Sequence, residues 1–463
     1  MMNCTKGCSF ALKLMASMLA LYGAANAAHA QQGDVKQLGV TLTPSGAEVA
    51  GNADGTIPAY TGGLTTPPAN YNKANPGWRP DPFPNDKPLF KIDASNMEKY
   101  KDKLSAGTME MMKKYPTFNL EVFQTRRTTA HPKHVLDNTI KNATRCKIIN
   151  DGLGLDTSTG CGHGYAFPIP KNGLEAMWTH HTRYQHPAQI YVNATGLYVK
   201  PSGEVVRTYQ GMGYRGWDFH DPQQSKPDRF YTIRYEYKAP TRMANTIAQQ
   251  YDEVVNSEKT AHTYSPATRR VRLSPDNSAD TPVAAMGGAM VYDEDQLFAG
   301  KLDRYDWKLM GKKEMYIPYN NYRIQYPDPK DADCSGDKRF TPYHLNTKCV
   351  RWELHRVWHV RATLKDGKRH IYKTRDMYFD EDGWSDGLAD NFDQNGSLYK
   401  VNQMIGSPLY DVAAPSVVNN LIIDMVAGTY GYSGMLDGAI LPIDPWPRVR
   451  FSPDTVSIPL IKP

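Results

Sequence analysis

The sequence predicts an α+β fold: a large antiparallel β-sheet with three helices gathered in the first half of the chain. Three observations carry this. Residues 260–321 repeat short apolar/polar alternations separated by Ser-Pro, Gly-Gly and Asp-rich turns, the pattern of antiparallel strands. The chain is rich in tyrosine (29), glycine (36) and proline (33), which suits twisted strands and many turns. Helical spacing with start and stop signals occurs at three places, all before residue 190.

Residues 1–30 read as a signal peptide. Lys6 and Lys13 give a positive start, 14–25 is mostly apolar, and Ala28-His29-Ala30 fits a small-x-small cleavage site, with Ala25-Asn26-Ala27 a second one. That apolar core is shorter than the roughly 20 residues of a permanent span. Cys4 and Cys8 precede it, where a lipobox cysteine cannot lie, so a soluble exported protein without a lipid anchor is expected. The whole chain carries 54 basic and 48 acidic residues. Removing Lys6 and Lys13 leaves 52 against 48, with no basic stripe, which excludes a nucleic-acid footprint.

Residues 31–90 form an extended, Pro/Gly-rich arm, to which Tyr60, Trp78 and Phe83 give apolar surface to bury. A single domain is expected over 91–441, followed by a Pro-rich tail over 442–463. Ser95 and Glu98 spell a capping box for a first helix through Met97, Tyr100, Lys101 and Leu104, which resumes after Gly107 and stops at Pro116. A strand spans 118–126, and His131-Pro132 opens a second helix over 133–145. Asn172 caps the third, through Leu174, Met177, Trp178 and His181.

Strands follow at 190–192, 197–199, 205–209 and 230–237, and 243–251 is also taken as a strand. Residues 261–264 and 269–273 flank a Ser-Pro turn, and Tyr305 to Leu309 follows an acidic turn. The last group comprises 352–364, 369–379, 384–392, 397–401 and 421–432. It is separated by turns that include Asp380-Glu381-Asp382-Gly383 and an Asn-Gly step.

Four cysteines remain after cleavage, in two pairs of identical spacing: Cys146 with Cys161 and Cys334 with Cys349. Four cysteines allow three connectivities, and locality favours these two bridges in an oxidising compartment. A zinc site is the competing reading, but no C-x-x-C pair supports it.

Several segments resemble a Gram-negative family, domain of unknown function number thirteen twenty-nine, whose members are often described as outer-membrane lipoprotein-sorting-like. They are YSPATRRVR, GGAMVYDEDQLFAGKLDRYDWKLMGKKEMYIPYN, HPKHVLDNTIKNATRCKI, YAFPIPKNGLEAMWTHH and RHIYKTRDMYFDEDGWSDGLADNFDQNGSLYKV. The resemblance implies a lipoprotein-carrier-like fold: a strongly curved antiparallel sheet, an incomplete barrel, with helices covering its concave face. It also implies location in the periplasm and work beside a transporter of the resistance-nodulation-division type and a propeller protein.

Chemical motifs are sparse. His180, His181 and His186 have offsets that do not converge on one helix face, and H-E-x-x-H is absent. Asp380, Asp382, Asp386, Asp390 and Asp393 resemble a calcium loop but lack the EF-hand register, and two hairpin turns account for them. No G-x-S-x-G elbow is present, and G-x-G-x-x-G at 211–216 reads as a glycine-rich loop. No enzyme, metal or cofactor is therefore expected. Tyr264, Trp307, Tyr316, Tyr319, Trp352, Trp358, Tyr372 and Trp384 lie in or beside predicted strands and are the candidate apolar lining of a cleft. With the resemblance, this implies a carrier or chaperone for a lipid-like ligand, with peripheral membrane contact. The alternative is a non-catalytic adaptor of an envelope transport complex.

Overall fold

The structure is a computed structural model that describes residues 34–274 and 279–460. The expected signal peptide lies outside the described residues. Among those described, no helix is long and apolar enough to cross a membrane.

The smaller elements come first in the chain. Strand β1 (Phe90–Ile92) pairs with β2 (Leu120–Val122), on either side of α1 (Ala106–Lys114). Helix α2 (Lys133–Arg145) matches its predicted bounds, and β3 (Ile148–Ile149) and β4 (Gly154–Leu155) form a hairpin behind it. Helix α3 (Gly173–His181) is capped by Asn172, whose side chain accepts from Glu175 N at 3.0 Å.

Six strands then meander: β5 (Ala188–Val199), β6 (Val205–Gly216), β7 (Arg229–Ala239), β8 (Ile247–Glu253), β9 (Lys259–Ser265) and β10 (Arg270–Leu273). A second meander runs through β11 (Tyr305–Pro318), β12 (Trp352–Leu364), β13 (Thr374–Asp380), β14 (Gly387–Phe392), β15 (Leu398–Leu409), β16 (Ala414–Asp424) and β17 (Thr429–Met435). The single turn α4 (Tyr322–Gln325) follows β11, and β18 (Ile440–Pro442) adds to the end of β5. The meanders join where β17 pairs antiparallel with β5, for example Gly431 opposite Tyr198. Strands β10 and β11 stay at opposite edges with no described pairing between them, so the antiparallel sheet is open.

Residues 279–304 connect those edges by crossing one face of the sheet. Glu294 approaches Lys400 and Asn402 on β15, and Asp295 accepts from Asn420 on β16. Helix α3 lies on this same face, with His180 4.2 Å from the Phe379 ring of β13. Alternation sends Asp390 and Val401 to the other face, where α1 sits: Ser105 Oγ and Gly107 N both donate to Asp390, at 3.0 Å. The helices therefore divide between the two faces. The tail crosses the second face too, with Trp446 stacked on Tyr214 and Phe451 O accepting from Gln249. The arm is anchored through buried Arg79, which pairs with Asp411 at 2.6 Å.

Four local readings change. The Ser95 hydroxyl donates to Asp93 at 2.6 Å, so no Ser95–Glu98 capping box forms, and 97–103 is a 3-10 helix. Ser105 caps α1 instead, with Gly107 inside its first turn. The strand expected over 421–432 is two strands, because the Asp424 carboxylate accepts from Val426 N and Ala427 N and Gly428 takes φ +67°. Residues 241–245 are a turn that β8 follows, and the glycine motif at 211–216 is strand β6, not a loop.

Candidate functional site

Strand β7 carries Tyr231, Ile233, Tyr235 and Tyr237 at alternate positions, all toward the face that the crossover spans. Tyr191 of β5 and Tyr209 of β6 join them. Glycines on β5 and β6 make room for these rings. A Cβ on Gly213 would lie 2.8 Å from Tyr235 Cε1, and one on Gly196 would lie 2.1 Å from Tyr209 Cε1 and 2.8 Å from Met286 Sδ. Met286 and Met290 of the crossover close the opposite wall around a cavity of about 140 Å³.

The walls are apolar with a few placed polar groups. Burial holds the phenols of Tyr191, Tyr209, Tyr231, Tyr235 and Tyr237 above their usual range, so they act as neutral hydrogen-bonding groups. Tyr209 Oη lies 3.1 Å from Ser433 Oγ, and Tyr231 Oη donates to Asp252 at 3.2 Å. At one end Arg215 donates to Asp295 at 3.2 Å, and Asn420 donates to the other oxygen of Asp295 at 2.8 Å. This arrangement can hold an apolar body and orient a polar tip.

The eight aromatic residues expected from sequence lie elsewhere, and none lines this cavity. Trp358 and Trp384 stack on each other, centroids 5.8 Å apart, and Trp384 also stacks on Phe379. Trp307 meets Phe298 edge-on at 4.9 Å, and Tyr372 donates to Glu294 at 2.6 Å. Tyr319 stacks on His355 at 3.9 Å, while Tyr316 and Trp352 belong to the apolar cluster that includes Val401, on the α1 face. Tyr264 is half-buried on β9. The cavity's own signal was the Tyr-x-Ile-x-Tyr-x-Tyr alternation of 231–237, legible as a strand but silent about what its face meets.

The acidic turn joins β13 and β14 as a hairpin, as expected, and it is buried because cations from three distant segments reach it. Arg127 holds both oxygens of Asp382, while Lys312 and Arg356 pair with Glu381 at 2.7 and 3.4 Å. His355, Asp380 and Asp382 bring possible metal-ligating atoms within 4.8 Å of one another. Arg127 already occupies Asp382, and Gly383 N and Tyr319 Oη donate to one oxygen of Asp380, so the group reads as a structural tie. Burial raises the Asp380 carboxyl well above its ordinary value. Both bridges, Cys146–Cys161 and Cys334–Cys349, are present and fit an oxidising compartment. His180 and His181 are buried packing residues; burial lowers His181 to about 3.

Residues 91–455 match the sequence model of the family described as Protein of unknown function (DUF1329). The chain belongs to this family. Uncharacterized protein PA3922 of Pseudomonas aeruginosa is 37% identical over 408 residues, 87% of each chain. Among solved structures, a domain from Vibrio parahaemolyticus, titled as a suggested outer membrane lipoprotein-sorting protein domain, is similar with a TM-score of 0.42. It has 12% identity over 62% of this chain and 98% of its own. A DUF1329 family protein from Desulfovibrio piger has a TM-score of 0.40 and 12% identity, covering 59% of this chain and 92% of its own.

Proposed function

We propose that the protein is a periplasmic carrier or chaperone that shields a lipid-like molecule between the β5–β8 face and the crossover. The tyrosine- and methionine-lined cavity is the observation that carries this reading. Each methylene removed from water contributes about 0.8 kcal/mol, so binding needs no covalent step. The free space of about 140 Å³ is smaller than the roughly 300–1,000 Å³ of sites that engulf drug-sized ligands. A long acyl chain therefore enters as the crossover lifts, with the flexible Met286 and Met290 side chains repacking around it. Delivery to an envelope transporter, of the resistance-nodulation-division type with a propeller protein, completes the reading. The packed arm and tail favour it over an adaptor that uses them as free ligands for a partner.

Native mass spectrometry of gently purified protein, before and after organic extraction, tests this. A bound mass lost on extraction is expected. A protein that carries no extractable lipid and binds no apolar probe would refute the carrier and leave the adaptor.

A further inference from the structure

Beside the cavity, the end of α3, strand β6 and residues 295–299 enclose a second, smaller niche of about 10 Å³, room for one water-sized group. His181, Arg183, Arg215 and Trp217 wall it and are buried, with exposures of 4, 3, 7 and 4%. Nε of Arg183, Nε of Arg215, Nε1 of Trp217 and both ring nitrogens of His181 nevertheless have no hydrogen-bond partner among the described residues. Folded proteins pair nearly all such groups. The Arg183, Arg215 and Trp217 nitrogens are donors, and a neutral His181 ring adds one more, so these unpaired donors around one niche point to a missing acceptor.

The charges agree. Asp295 is the one carboxylate on the walls, and it pairs with Arg215. Arg183 donates to His180 O and lies 5.2 Å over the Trp217 ring, with no carboxylate partner among the described residues. Burial brings Arg183 down to about 10, which still leaves it charged at neutral pH. On the niche walls two guanidiniums thus face one carboxylate, which of the two pairs with Arg215 alone, and a water molecule would satisfy donors without offsetting the remaining charge.

We propose that this niche takes an anionic oxygen, of carboxylate, sulfonate or phosphate type, on the head of an amphiphile whose apolar part lies in the tyrosine-lined cavity. The inference rests on the carrier reading above. The two spaces are continuous in their walls, since Arg215, Tyr231 and Asp295 line both. The niche admits one headgroup oxygen, and the rest of the head faces the cavity.

The test uses the full purified chain stripped of lipid and a neutral apolar fluorescent probe, displaced by dodecanoate or by dodecanol. Dodecanoate is expected to bind roughly tenfold tighter or more, as a charge-assisted contact requires. Arg183→Met should abolish that preference and leave dodecanol within about twofold of its wild-type affinity, a span well inside one tenfold step. The wild-type comparison stands alone should the variant not fold. Equal binding of the two amphiphiles overturns the anionic niche and leaves the cavity reading intact. Displacement by neither overturns both. Inorganic phosphate, lacking a tail, is expected to leave the melting temperature unchanged at concentrations where dodecanoate raises it; an equal rise with phosphate overturns the head-and-tail assignment.

Discussion

Arg127 grips Asp382 through two parallel hydrogen bonds, Nε to Oδ2 at 2.9 Å and Nη2 to Oδ1 at 2.6 Å, with both side chains buried. This pair fastens the segment before α2 to the turn between β13 and β14. Truncating one partner leaves the other as an uncompensated buried charge. Arg127→Met is expected to cost about 3–5 kcal/mol, read from the shift of the urea unfolding midpoint. The double variant Arg127→Met/Asp382→Leu should recover part of that loss; a double variant weaker than the single would contradict the account.

Asp386 gives the fold a pH dependence. Its carboxylate is buried, and burial, only partly offset by the Ser416 hydroxyl and the Arg183 charge, pushes it up to about 7. The folded chain therefore keeps a proton that the unfolded chain releases near pH ~3.9. The associated stability is complete below that pH and is lost as pH rises through about 7, where the folded group ionises. At about 1.4 kcal/mol per pH unit the whole effect is of order 4 kcal/mol. Asp218, Asp252 and Asp390, each raised to about 6 by burial, act in the same direction. Asp386→Asn should flatten the decline between pH 5 and pH 8 in urea midpoints; an unchanged decline would remove Asp386 from the explanation.

Each disulfide closes a loop of sequence separation 15, a size for which chain entropy gives about 3 kcal/mol. The paired change Cys334→Ser/Cys349→Ser is expected to lower unfolding free energy by that order without loss of β-sheet circular dichroism. No change in the midpoint would mean that the bridge does not constrain the unfolded chain.

Ala194 lines the tyrosine cavity and is 2% exposed. Ala194→Phe puts a ring into the free space and should weaken binding of an apolar probe by about tenfold or more. Overpacking costs about 1–3 kcal/mol in return. Undiminished probe binding would place the ligand elsewhere.

Local order was legible in the sequence for two of the longest elements. The long run from Trp352 to Leu364 gives β12 its bounds, and the His131-Pro132 start gives α2 its bounds at Lys133–Arg145. Long-range order was not. Asp380, Glu381 and Asp382 read locally as a hairpin turn, and nothing nearby in the chain announces that Arg127, Lys312 and Arg356 bury it. The eight strand aromatics were marked by residue type alone, whereas the cavity is decided by which face of β5 to β8 lies under residues 283–290. That path depends on joining the two edges of the sheet, which no local pattern encodes.

The pairing of β17 with β5 has a consequence for how the chain matures. Tyr198 waits for Gly431, more than two hundred residues later, before the middle of the sheet can form. Until those strands arrive the first meander presents an unpaired β5 edge, the kind of template on which neighbouring chains aggregate. The chain is thus most prone to association before its last strands pair, and those strands act as the clasp that closes the edge.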